Sequence, residues 1–161
     1  MSVLTDTQNE SDHRNVPIDR VGVKDLRFPI SIKDRNDAVQ HTVSTVSLAV
    51  DLPHHFKGTH MSRFVEVLNA HGPELDVHRI CQIPIELRAR LDAKQSHITF
   101  TFPYFISKKA PVSEKTGLID YEAVFELDST ESHTDFILTV RVPVATLCPC
   151  SKAISERGAH N

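Results

Sequence analysis

Three cysteines, Cys81, Cys148 and Cys150, are too few and too unevenly spaced among 161 residues to build a disulfide framework. That scarcity points to a reduced, cytoplasmic setting. No apolar run approaches the ~20 residues that a membrane-spanning helix needs. The opening stretch MSVLTDTQNESDHRN carries acidic side chains and no apolar core segment, so it does not read as a secretory signal. No basic block exists either. Lys and Arg number 18 against 21 Asp and Glu, for a net charge of −3, which gives no electrostatic footprint for nucleic acid. Neither a P-loop nor a G-x-G-x-x-G run occurs, so a nucleotide would have to be held by side chains. What is present is the length and ordinary composition of one soluble domain. Ten histidines add groups whose charge changes near neutral pH.

Residues 1–16 are polar and aperiodic and read as a flexible arm; 17–161 read as one folded unit. A first strand is expected near Val21 to Leu26. Ala38 to Val50 is rich in Val, Thr and Ser and reads as a second. Its apolar set changes face, from Val39 and Val43 to Val46, Leu48 and Val50, which suggests a bulge or burial on both faces. After Pro53 to Gly58 a helix is expected, with Thr59 or Ser62 near its cap and Met61, Phe64, Val65 and Leu68 on one side. Gly72 and Pro73 end it. A second helical segment begins near Asp76, and Pro84 should kink it or sit in the first turn of a restart. The period then becomes two: Ile98 to Phe102, Ile119 to Leu127, and Phe136 to Val144. Asp128 to His133 reads as the hairpin loop between the last two. The expected fold class is α+β, an antiparallel sheet with two helices on one face.

Thiolate and imidazole are preferred zinc ligands and acceptable iron or manganese ligands, which draws attention to Cys148, Cys150 and His160. In extended backbone, the Cys148 and Cys150 side chains would point to one side, and Pro149 favours that at Cys148. A strand end with two small thiols and a surface histidine fits the spacing equally well. Three ligands also leave a tetrahedral site incomplete. His54, His55 and His60, with Arg63 nearby, could shuttle protons or meet phosphate, but on spacing alone a solvated loop and helix start is the preferred reading. Cys81 reads as a packed core residue. Lys108 and Lys109 precede a proline and read as loop charges that could also meet an anion.

Four stretches, VGVKDLRFPI, GTHMSRF, FPYFISKKAPVSEKTG and LCPCSKAISERGAHN, together resemble the prokaryote-type GTP cyclohydrolase I, type IB. The resemblance implies a tunnelling fold, in which antiparallel sheets of several units join into a barrel with helices outside. It implies conversion of GTP and water to 7,8-dihydroneopterin triphosphate and formate, the first step toward folate. It further implies a divalent metal (Mn, Fe or Zn) and a homo-oligomer, a tetramer, with sites at subunit interfaces. Cys148 and His160 match the family's metal-centre positions, with Cys148 also catalytic, and Cys150 matches the second cysteine. Such chemistry suits the residue types. A divalent metal lowers the pKa of water to about 7, histidine suits the proton traffic of ring opening, and a triphosphate calls for cations, for which His60, Arg63, Lys108 and Lys109 are candidates.

Members of that family continue past this motif with a second half that brings a glutamate metal ligand and a guanine-anchoring glutamate. The expectation is therefore that 17–161 is the first unit and that the second lies beyond this sequence. Two alternatives remain at this point. One is an inactive fragment or non-catalytic metal-binding or assembly module. The other is an enzyme resembling the nitrile reductase of queuosine synthesis, with a nucleophilic cysteine in place of a metal.

Overall fold

The protein is described from a computed structural model, which places residues 13, 16–33, 38–109, 114–144 and 149–153. The expected arm lies outside these residues except at His13 and Val16. In chain order the elements are β1 (Ile18–Lys33), β2 (Val39–Leu52), α1 (Met61–His71), β3 (Glu74–Leu75), α2 (Val77–Ile80), α3 (Gln82–Arg90), β4 (Ser96–Lys109), β5 (Thr116–Ser129), β6 (Thr134–Arg141) and α4 (Pro149–Lys152). The strands form one six-stranded sheet in the order β3-β1-β2-β4-β5-β6. Every pairing is antiparallel except the two-residue contact of β3 with β1. The architecture is α+β, as expected.

The core forms where helices meet the sheet. Phe64, Val67 and Leu68 of α1, Ile80 of α2, and Ile83 and Leu87 of α3 are buried against Val46, Leu48, Val50, Ile98, Phe100 and Leu127. Each side chain so buried contributes about 1.5–3 kcal/mol. Cys81 packs half-buried against this cluster, as its place in the helical pattern predicted. Pro84 sits in the first turn of α3, where its missing N–H costs nothing. Asp76 caps α2 by accepting the N–H groups of His78 and Arg79. Its carboxyl is held below the ordinary range, by the Arg79 N–H above all, with burial opposing and the His78 N–H assisting.

Several expectations are corrected. A bulge or burial on both faces was expected in β2; instead β2 alternates without a break, and the bulges are in β1, where pairing shifts between Ile18 and Val21 and again between Val23 and Leu26. Asp25 takes a φ of 58° at the second shift. Val39 and Val43 therefore lie on the face away from Val46 and remain exposed. The cap of α1 is His60 rather than Thr59 or Ser62, with no side-chain hydrogen bond. β6 stops at Arg141, leaving Val142 and Val144 outside it.

β4 is also longer than expected. It runs through Pro103 to Lys109, so Lys108 and Lys109 are strand residues rather than loop charges. Backbone pairing with β2 ends at Thr45 opposite Thr101, while pairing with β5 continues to Lys109 opposite Thr116. Pro103 has no N–H to offer β2. Past that point Pro103–Lys109 and Thr116–Glu122 extend as a two-stranded arm.

Candidate functional site

The segment from Pro53 to His60 turns the chain from β2 into α1 and closes one side of a cavity of about 320 Å³. Leu52, Phe56 and Leu91 supply apolar lining; Thr59, His60, Arg63 and Asp92 supply polar groups. His60 and Arg63, singled out from sequence, are thus brought together here, both half-buried. One guanidinium nitrogen of Arg63 donates to the Arg90 carbonyl at 3.1 Å, which ties α1 to the end of α3. With no side chain capping α1 and no acid in its first turn, the N–H groups at its start favour a negatively charged ligand. Asp92, at a φ of 52°, faces this cavity and was missed from sequence. Its position just past a helix ending in Arg90 was the available cue.

The other candidates lie elsewhere. His54 lines a second cavity, of about 430 Å³, with Arg20, Lys94 and His97. His55 is exposed and packs beside Phe56, with ring centroids 4.4 Å apart and the rings tilted by 41°. His97 is hydrogen-bonded to Asp128 across β4 and β5, a pair the sequence did not mark. Lys108 and Lys109 are exposed on the arm. Leu52 borders the first cavity and neighbours Val50, which pairs with Ser96 at the start of β4. Twelve residues of strand separate Ser96 from Lys108, roughly 40 Å at 3.3 Å per residue. Within one chain, then, Arg63 and the two lysines do not meet.

Cys148 and His160 lie outside the described residues. Cys150 is exposed on α4 and disulfide-bonded, whereas Cys81 is a free thiol that burial pushes up in pKa and so keeps protonated. Among the described residues no three His, Cys, Asp or Glu side chains converge as metal ligands. Also among them, no helix is long and apolar enough to cross a membrane.

The protein family described as type I GTP cyclohydrolase folE2 matches residues 4–161. The GTP cyclohydrolase FolE2 of Akkermansia muciniphila is 60% identical over 163 aligned positions, covering 100% of this chain and 62% of the relative. That of Syntrophotalea carbinolica is 50% identical over 158 positions, covering 98% and 59%. That of Fervidobacterium nodosum is 50% identical over 159, covering 99% and 61%. The chain spans about three fifths of the length of the curated relatives it matches.

Proposed function

Because the chain belongs to the type I GTP cyclohydrolase FolE2 family, we propose that this protein converts GTP and water to 7,8-dihydroneopterin triphosphate and formate. The observation that carries the reading is the reach of the match, residues 4–161, which takes in the α1 start, the lysines of the arm and the cysteine–histidine segment. A tunnelling fold is the reading of the sheet, supported by the order of two strands, a helical stretch that includes the short β3, and three further strands around one core.

Cys148, Cys150 and His160 are the proposed metal ligands. Two thiols and an imidazole suit zinc or iron better than manganese, which prefers oxygen donors. Ligation through Cys150 requires its reduced form, since the thiolate is the ligand. A divalent metal held there would supply the Lewis acidity that makes water nucleophilic near pH 7. Arg63, His60 and the uncapped start of α1 would hold phosphate. Lys108 and Lys109 are proposed as further triphosphate contacts. From Ser96, at the end of β4 nearer the Arg63 cavity, to Lys108 is roughly 40 Å of strand, longer than a nucleotide, so the complete site would combine residues of different copies. This supports a homo-oligomer with sites at subunit interfaces.

A full-length protein supplied with Mn, Fe or Zn should release formate from GTP, and chelation should stop it. Cys148→Ala should reduce turnover to background. Normal turnover in that variant would remove Cys148 from the chemistry, and turnover that survives chelation would favour a nucleophilic cysteine. The second reading, assembly without catalysis, draws on the exposed apolar arm and β6. It predicts self-association with no formate under any metal.

A further inference from the structure

From Thr101 outward, three side chains of β2 take over the bonding that the β2 and β4 backbones abandon. Ser44 Oγ donates to the Thr101 carbonyl at 3.2 Å, and Thr42 Oγ1 to the Pro103 carbonyl at 3.2 Å. Gln40 goes further and satisfies both backbone groups of one residue. Its Nε2 donates to the Phe105 carbonyl at 3.0 Å, and its Oε1 accepts the Phe105 N–H at 2.7 Å. A primary carboxamide has the same donor and acceptor as a peptide unit, so Gln40 stands in for the strand residue that β2 cannot bring close enough. The three carbonyls recur every second residue, at 101, 103 and 105, which is the spacing of groups facing one neighbour. Gln40 makes the outermost of these contacts. Lys108 and Lys109 lie three and four residues past Phe105.

We propose that Gln40 is a positioning residue, whose two hydrogen bonds to Phe105 fix the arm on the sheet and thereby set where Lys108 and Lys109 stand. The proposal rests on the reading above in which those lysines meet the triphosphate. Gln40→Met keeps the length of the side chain and removes both hydrogen bonds. In the full-length protein, amide hydrogen exchange at Phe105 should then accelerate about tenfold or more, with Leu48 and Phe100 unchanged. KM for GTP should rise severalfold at constant kcat. The same substitution should add nothing to KM in a Lys108→Gln, Lys109→Gln background.

Unchanged exchange at Phe105 overturns the clamp. Faster exchange with an unchanged KM, while the lysine double variant raises KM, overturns the positioning role alone. An unchanged KM in the lysine double variant overturns the lysine assignment and the positioning role with it. An equal fall in kcat of Gln40→Met and of a distant destabilising variant assigns Gln40 a merely structural part and likewise overturns the proposal.

Discussion

Under α1 and α3, Val46, Ile98 and Phe100 are at most 1% exposed. Further along the same sheet and on the same face, Ile106 is 40% exposed and, in β6, Leu138 is 54% exposed. Tyr104, Tyr121, Leu138 and Val140 there line an open apolar trough of about 360 Å³. Cross-strand pairing links the two regions directly: Phe100 with Phe125 and Phe125 with Leu138. Strand alternation thus sets which face is apolar, while helix length sets how much of it is covered. Among the described residues, the helices cover one end. The other end shows an apolar area of the kind that marks an interface.

The largest effect should separate the two ends. Phe100→Ala should cost about 3–5 kcal/mol in urea unfolding, and Ile106→Ala at the open end within about 1 kcal/mol. Comparable losses would mean that side chains at the open end are packed as tightly as those under the helices. Next comes the β1 seam within the covered end. A Cβ at Gly22 would stand 1.9 Å from the Leu48 carbonyl oxygen, so the backbone itself would have to move. Gly22→Ala should destabilise by about 1–3 kcal/mol, read as a lower thermal midpoint.

A smaller effect should follow from the Asp76 cap. Asp76→Ala should cost about 1 kcal/mol at neutral pH. Because the folded-state pKa lies below the unfolded one, this contribution is complete above the unfolded value and is lost as pH falls through the folded one. The difference between variant and parent should therefore vanish in acid; a difference that persists there would assign the loss to something other than the carboxylate. The smallest change in stability, within about 0.5 kcal/mol, is expected for Leu138→Ser with Val140→Thr. In sedimentation velocity the same pair should weaken self-association, and unchanged association would place the interface away from β6.

The period-two runs at Ile98, Ile119 and Phe136 and the helical spacing at Phe64 and Leu87 were legible because burial on one face leaves a pattern in single residues. The outer reach of β4 was not. Pro103 and the paired lysines look like punctuation, and only the continuing partner β5 keeps that stretch extended. Val39 and Val43 suggested a bulge or burial on both faces in β2, but they are exposed apolar residues on its outer face, and the bulges lie in β1. At the candidate site, His60 and Arg63 were visible as polar residues at a helix start. Asp92 was not, since its approach to them depends on α3 folding back, and Gln40 was not, since nothing local marks a glutamine that will reach sixty-five residues along the chain.

The β2–β4 seam also bears on the order of folding. β1 with β2, and β4 with β5, are neighbours in sequence and close short loops. β2 and β4 can join only after the forty-three residues from Pro53 to Gln95 have been gathered, a costlier closure that favours slow, late pairing. Zipping from Val50 and Ser96 outward would reach Thr101 through backbone bonds and finish through Ser44, Thr42 and Gln40 in turn. The clasp at Phe105 would then be the last contact made and, on unfolding, the first released.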